Sequence, residues 1–139
     1  MTNRSLAFIV KNQNPLMLPP DATVQHACRQ MWERRVGAVL VTDGSKLVGI
    51  FTGRDAVRTL AGGQPPSETR LATAMTAAPD TIGPEATAID ALRRMSDCGY
   101  RHLPIVDGAR IVGIVSRGDF KGVELDRLED ETSLWERIA

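Results

Sequence analysis

The sequence predicts an α+β fold built twice over, from three observations. The chain repeats itself, each copy reads helix, apolar run, turn, apolar run, helix, and the apolar runs are short and continuous. Shifted by 64 positions without a gap, Thr23 falls on Thr87, Met31 on Met95, Asp43-Gly44 on Asp107-Gly108, Gly49-Ile50 on Gly113-Ile114 and Asp55 on Asp119. Between Pro20 and Asp55, 12 of 36 positions are identical to their partners. Self-similarity at a fixed period marks a repeated structural unit, and whatever chemistry one copy carries the other has in a related form. Each copy is too small to bury enough surface alone, so the sequence predicts one compact domain or two small units sharing a core.

Residues 1–19 form a lead-in, in which the apolar Leu6–Val10 reads as a strand before Asn14-Pro15 and Pro19-Pro20 punctuate the chain. Thr23 is placed to cap a helix, its hydroxyl accepting a free backbone amide two or three residues on. Val24, Ala27, Cys28 and Met31 then recur at helical spacing. That helix ends near residues 33–35, before Gly37. Ala38–Val41 and Leu47–Phe51 read as strands around the turn signal Asp43-Gly44. A second helix runs from Gly53 or Arg54 to Ala61.

The stretch 62–67, rich in Gly and Pro, is a linker. Leu71–Met75 reads as a short helical turn and Thr81-Ile82 as a short strand. In the second copy Thr87 caps a helix, with Asp90 three residues later completing a capping box. Ala88, Ala91, Leu92 and Met95 form its stripe. His102–Val106 and Arg110–Val115 are strands around Asp107-Gly108, and Phe120 falls in the following helix. Continuous apolar strands indicate cover on both faces. The tail from residue 123 is acidic and helical in character, with Trp135 as a packing anchor. The expected divisions are a first repeat with its lead-in at 1–61, a linker at 62–70, a second repeat at 71–122 and the tail at 123–139.

Composition narrows the function classes. Hydrophobic residues make up 42% and charged residues 24%, as in a soluble globular protein. Seventeen basic and seventeen acidic residues cancel, and aromatics are only 4%, which disfavours nucleic-acid binding. No run approaches the length needed to cross a bilayer, and the first ten residues lack a signal peptide's apolar core. Two cysteines without metal spacing indicate free thiols in a reducing cytoplasm. No phosphate loop, nucleophile elbow or zinc spacing is present, so no catalytic or metal-binding residue is assigned.

The sharpest motif closes each copy. Gly49-Ile50-Phe51-Thr52-Gly53-Arg54-Asp55 and Gly113-Ile114-Val115-Ser116-Arg117-Gly118-Asp119 share a glycine, two apolar residues, a hydroxyl residue, two variable residues and an aspartate. A strand delivers the hydroxyl to a helix start, where free amides favour phosphate. The carboxylate one turn on can accept both hydroxyls of a vicinal diol such as a ribose. Arg54 and Arg117 stand beside it to neutralise phosphate. Capping alone accounts for the same residues, so the motif leaves binding and structural readings both open.

With these motifs the chain resembles a tandem pair of CBS domains, named after cystathionine β-synthase, the arrangement called a Bateman module. The resemblance spans roughly residues 6–122. It is carried by Pro20-Asp-Ala-Thr-Val24, Pro84-Glu-Ala-Thr-Ala88, Ala74-Met75-Thr76, the run Tyr100–Asp107 and the two closing motifs.

The resemblance implies a pseudo-twofold packing of the repeats, with clefts for AMP, ADP, ATP, NAD or S-adenosylmethionine as bound ligand and no catalytic cofactor. It implies that Asp55 and Asp119 hold ribose hydroxyls and that Thr52 and Ser116 contact ribose or phosphate. Val36, Gly37 and Ala38 in the first copy, and Tyr100, Arg101, His102 and Pro104 in the second, would line the adenine pockets. It further implies a homodimer and a regulated partner protein. The copies are unlike where Gly37 faces Arg101, Ala38 faces His102 and Leu40 faces Pro104, and the first lacks the Met-Thr lead-in. The resemblance is equally compatible with a structural or protein-interaction module that has lost its ligand. His26 is expected to face solvent, and Met31 and Met95 to pack in the core.

Overall fold

A computed structural model describes residues 4–120. Its elements follow the chain as α1 (Leu6–Ile9), β1 (Met17–Leu18), α2 (Val24–Arg34), β2 (Ala38–Asp43), β3 (Lys46–Thr52), α3 (Gly53–Ala61), α4 (Leu71–Ala74), β4 (Thr76–Ala77), α5 (Ala88–Cys98), β5 (His102–Asp107) and β6 (Arg110–Ser116), and then a 3-10 turn, Arg117–Asp119. The tail from residue 123, with Trp135, lies outside the described residues.

By compactness the described chain divides into two units. One unit holds residues 14–80 and 109–111, and the other holds the described parts of 1–13, 81–108 and 112–139. The second repeat thus forms a unit with the N-terminal lead-in, and the residues just after the linker join the first repeat. Each unit has its own hydrophobic cluster.

In the unit of residues 14–80, four strands lie in the order β1-β2-β3-β4. Met17 and Leu18 pair in parallel with Leu40 and Val41. β2 and β3 form the expected hairpin, with Ala38 opposite Thr52 and Asp43 opposite Lys46. Its two-residue loop needs a left-handed first residue, and Gly44 supplies it at φ 64°. The Ala74-Met75-Thr76 segment, ahead of the second helix-strand-turn-strand run, also supplies an edge to this sheet. Thr76 and Ala77 pair antiparallel with Ile50 and Gly49 at the far edge of this sheet. A Cβ on Gly49 would meet Met75 Sδ, the flexible end of a side chain that would have to shift.

Thr23 caps α2 through its hydroxyl, which accepts the His26 N–H at 3.1 Å. Val24, Ala27 and Met31 turn inward with Val39, Val41, Phe51 and Leu71, while Cys28 is partly buried. His26 faces solvent.

The other unit repeats the plan with a different edge. Ile82 bridges Ile105 in parallel, the 64-residue image of Leu18 against Val41. Thr87 and Asp90 form the capping box of α5, with the Thr87 N–H donating to Asp90 Oδ2 at 3.0 Å. Ala88, Ala91, Leu92 and Met95 are buried against Leu103, Ile105 and Val115.

Leu6–Val10 corrects the sequence reading. It is a helical turn and not a strand, because Ser5 caps it by accepting the Phe8 N–H. Leu6 and Val10 enter the core of the second repeat. Phe120 also departs from expectation: it is extended and follows a 3-10 turn. Its ring is buried in that same core, so packing fixes it without helix continuation.

Candidate functional site

Both closing motifs are strand-to-helix junctions, and both place the aspartate back on its own hydroxyl residue. In the first, Thr52 ends β3 with extended backbone and α3 begins at Gly53. Asp55 Oδ2 accepts the Thr52 N–H at 2.9 Å and its hydroxyl at 3.2 Å. In the second, Asp119 Oδ2 accepts the Ser116 N–H at 2.7 Å and its hydroxyl at 3.3 Å. The duplicated spacing therefore produces the same local bond pattern twice.

The second carboxylate oxygens differ. Asp55 Oδ1 accepts Arg58 Nη2 at 2.7 Å. The same Arg58 group also donates to the Ala74 carbonyl at 3.1 Å, tying α3 to α4. Asp55 is only 4% exposed, and Thr59 at the next turn donates to its backbone carbonyl at 2.9 Å. Asp55 is thus capped, buried and paired with an Arg58 side chain that is 64% exposed. Asp119 is exposed. Arg4 donates to its backbone carbonyl at 2.9 Å. Arg58 escaped the motif reading, although an Asp and an Arg three apart on a helix are a recognisable pair. Its 64-residue image is Gly122, so the sequence already carries the asymmetry.

The remaining first-repeat residues collect at the C-terminal end of α2. Arg35 closes that helix in left-handed conformation, and its amide donates to the Trp32 carbonyl. Val36 and Gly37 follow, and the Gly37 carbonyl accepts the Gly53 N–H at 3.2 Å. Val36, Gly37 and Gly53 line an open cavity of about 630 Å³ with Cys28, Met31 and Trp32. Trp32 is 85% exposed, and sequence reasoning missed it because an aromatic at one helical position gives no pattern. Burial pushes the Cys28 thiol pKa up, keeping it protonated at neutral pH. Ala38 is buried in β2, and Arg54 points to solvent.

In the second repeat Tyr100 and Arg101 are exposed, and His102 is half-buried at the start of β5. Desolvation lowers the His102 pKa most. The Asp119 carboxylate opposes that shift and Arg101 adds to it. His102 and Asp119 are thereby within electrostatic reach of one another. Pro104 is buried in β5, its carbonyl accepting the Ile82 N–H at 3.1 Å. Arg117 is exposed beside Ser116. The structure thus joins Ser116 and Asp119 directly, and His102 feels the Asp119 charge.

Among the described residues, no group of three or more His, Cys, Asp or Glu is placed to hold a metal ion. No helix among them is long and apolar enough to cross a membrane.

Comparison with known proteins gives the family. The CBS domain family matches residues 9–62 and 71–125. A CBS domain-containing protein of Arabidopsis thaliana is 38% identical over 102 residues, 72% of this chain, and the match spans only 18% of that longer protein. A solved structure described as a signal-transduction protein with CBS domains, from Burkholderia ambifaria, is 30% identical with a TM-score of 0.78, covering 83% of this chain and 89% of that one. A CBS domain protein from Pyrobaculum aerophilum complexed with AMP shares the fold, with a TM-score of 0.81, 22% identity, and coverage of 91% of this chain and 98% of that one. The two matched segments coincide with the two copies read from the sequence, and the chain belongs to the CBS domain family as a tandem, Bateman-type pair.

Proposed function

We propose that this chain is a non-catalytic regulatory module of the cytoplasm. It binds an adenosine-containing nucleotide — AMP, ADP, ATP, NAD or S-adenosylmethionine — and passes occupancy to a partner protein. The observation that carries this reading is the junction at which a strand hands a hydroxyl and a carboxylate to one point. Ser116, half-buried, and Asp119, exposed, do so in the second copy, where the Asp119 charge is felt by His102. Vicinal hydroxyls of a ribose match a carboxylate acceptor, and Arg117, exposed between Ser116 and Asp119 in sequence, is suited to meet phosphate. The AMP complex of the Pyrobaculum protein supports adenine nucleotide as the ligand class.

Signalling by such a module is linkage. The ligand shifts a conformational population by its differential affinity for two states and by no more than that. Binding also stabilises the fold, by about 2.7 kcal/mol when ligand exceeds Kd a hundredfold. A thermal melt with AMP, ADP, ATP, NAD and S-adenosylmethionine tests the reading, with a raised midpoint for at least one expected. No shift at millimolar concentration would sink it. A protein-interaction module without ligand would then take its place, favoured by the exposed Trp32, Val57 and Leu60.

A further inference from the structure

We propose that the outer edge of β6 is a docking edge for an extended peptide segment of a partner protein, which adds as an antiparallel strand in place of the Gln13 side chain. This goes beyond nucleotide sensing and holds whether or not a nucleotide binds.

The two repeats receive their lead-ins alike and then part. Ser5 bridges Thr87 ahead of α5, as Arg70 bridges Thr23 ahead of α2. A short helical turn follows each, Leu6–Ile9 in one case and Leu71–Ala74 in the other, and Leu6 and Leu71 are both fully buried. Val10 then stands against Gly113 as Met75 stands against Gly49. Met75 is extended, at φ −72° and ψ 163°, so the chain runs on as β4 and pairs Thr76 and Ala77 with Ile50 and Gly49. The Ala78 N–H carries the ladder one step further by donating to the Val48 carbonyl at 3.1 Å. Val10 is not extended, at φ −94° and ψ 8°. Its carbonyl accepts the Gln13 N–H at 2.9 Å, and Asn12 between them is left-handed at φ 63°. The chain therefore curls off the edge where the first repeat begins its strand.

A single carboxamide takes the strand's place on β6. Gln13 Oε1 accepts the Ile114 N–H at 2.6 Å, and Nε2 donates to the Ile114 carbonyl at 2.8 Å. An amide side chain has one carbonyl oxygen and one NH2 group. It serves one residue, where β4 and Ala78 serve the ladder from Val48 to Ile50. Gln13 is exposed, so water competes for both its bonds, and holding them costs the side chain its rotamer freedom. A strand edge closed so lightly is a template for another strand. Main-chain bonds from an added strand supply affinity, and the side chains it presents set specificity. The occupied edge of the first repeat specifies the newcomer: extended, uncharged and small in its side chains, as Thr76 and Ala77 are.

The test is a nuclear magnetic resonance titration of the full, isotope-labelled chain with a synthetic peptide of its own edge segment, Ala74-Met75-Thr76-Ala77-Ala78-Pro79. A control peptide carries Thr76→Pro, which cannot donate to a ladder. Millimolar peptide should produce saturable shifts at the Val112 and Ile114 amides, and the control should not. Gln13→Ala should bind the peptide about fivefold more tightly, because the competing carboxamide is gone. A Gln13 that only braced the fold would give no such gain. Should Gln13→Ala not fold, Gln13→Asn, too short to reach Ile114, takes its place. Absence of shifts in wild type and variant alike, equal shifts with the proline peptide, an affinity that the variant leaves unchanged, or shifts at Ile50 in place of Ile114 would each overturn the proposal.

Discussion

The side-chain amide of Gln13 stands in for a strand against Ile114. Its Oε1 accepts the Ile114 N–H at 2.6 Å, and its Nε2 donates to the Ile114 carbonyl at 2.8 Å. The 64-residue image of Ile114 is Ile50, which pairs with Thr76 in β4. One repeat completes its edge with backbone, and the other does so with a carboxamide that presents the same donor and acceptor. Gln13→Ala removes both bonds, and a loss of about 1–2 kcal/mol is expected from two partly solvated hydrogen bonds. Urea unfolding measures it, and amide exchange at Ile114 should quicken in the same variant. Unchanged stability and exchange would dismiss the substitute-strand role.

The duplicated glycines are explained by the same edges. A Cβ on Gly113 would sit 2.8 Å from Val10 Cβ and 2.6 Å from Gln13 Oε1. Gly113→Ala should cost about 1–3 kcal/mol by overpacking against a branched residue that cannot swing aside. Gly49→Ala meets only the flexible thioether of Met75 and should cost less. Paired thermal melts decide the order, and a milder Gly113 effect would contradict it.

Arg35 and Gly99 occupy equivalent helix ends, both left-handed, at φ 55° and 75°. Glycine adopts that conformation without a Cβ penalty. Arg35→Gly should therefore stabilise the protein by about 0.5–1 kcal/mol, read as a raised unfolding midpoint. A lowered midpoint would mean that the Arg35 side chain contributes more than its backbone strain costs.

His102 predicts a pH dependence. Its folded-state pKa is depressed by burial, so the unfolded chain takes up a proton more readily. Its penalty is absent well above 6.5, the ordinary histidine value, and grows as pH falls through that value towards the folded pKa. Stability should thus decline on acidification below about pH 6.5, and His102→Ala should flatten that decline. Asp90 acts lower on the scale. The Thr87 amide holds its pKa below the usual 3.8, so its contribution is present above that value and lost as pH falls through the folded pKa. Chemical denaturation across pH 3–8 separates the two, since Asp90→Asn should alter only the acid end.

Val57 and Leu60, 65% and 63% exposed, lie three residues apart on α3, so one face of that helix offers apolar surface. With the exposed Trp32 on α2, this exceeds the scattered single exposures expected of a monomer. The chain is expected to self-associate, and Leu60→Glu should shift it towards monomer in sedimentation velocity. A monomeric wild type at tens of micromolar would refute this.

The sequence by itself determined the repeat, the helix-strand-turn-strand run of each copy and the caps at Thr23 and Thr87. These rest on local chemistry: a Thr before an apolar stripe at helical spacing, or a glycine between two apolar runs. It also located the two junctions, because their spacing is written twice. Only the tertiary structure decided which segment completes which unit. Leu6–Val10 was apolar enough for a strand, yet it turned helical once Ser5 capped it and the core below α5 accepted Leu6. Thr76 and Ala77 carry no alternation of their own and became a strand because Ile50 and Gly49 offered an unpaired edge. The difference between Asp55 and Asp119 was likewise decided by surroundings. The same carboxylate with the same first two bonds is closed where Arg58 and burial meet it and open where they do not, since an acceptor's availability depends on which donors folding brings within reach.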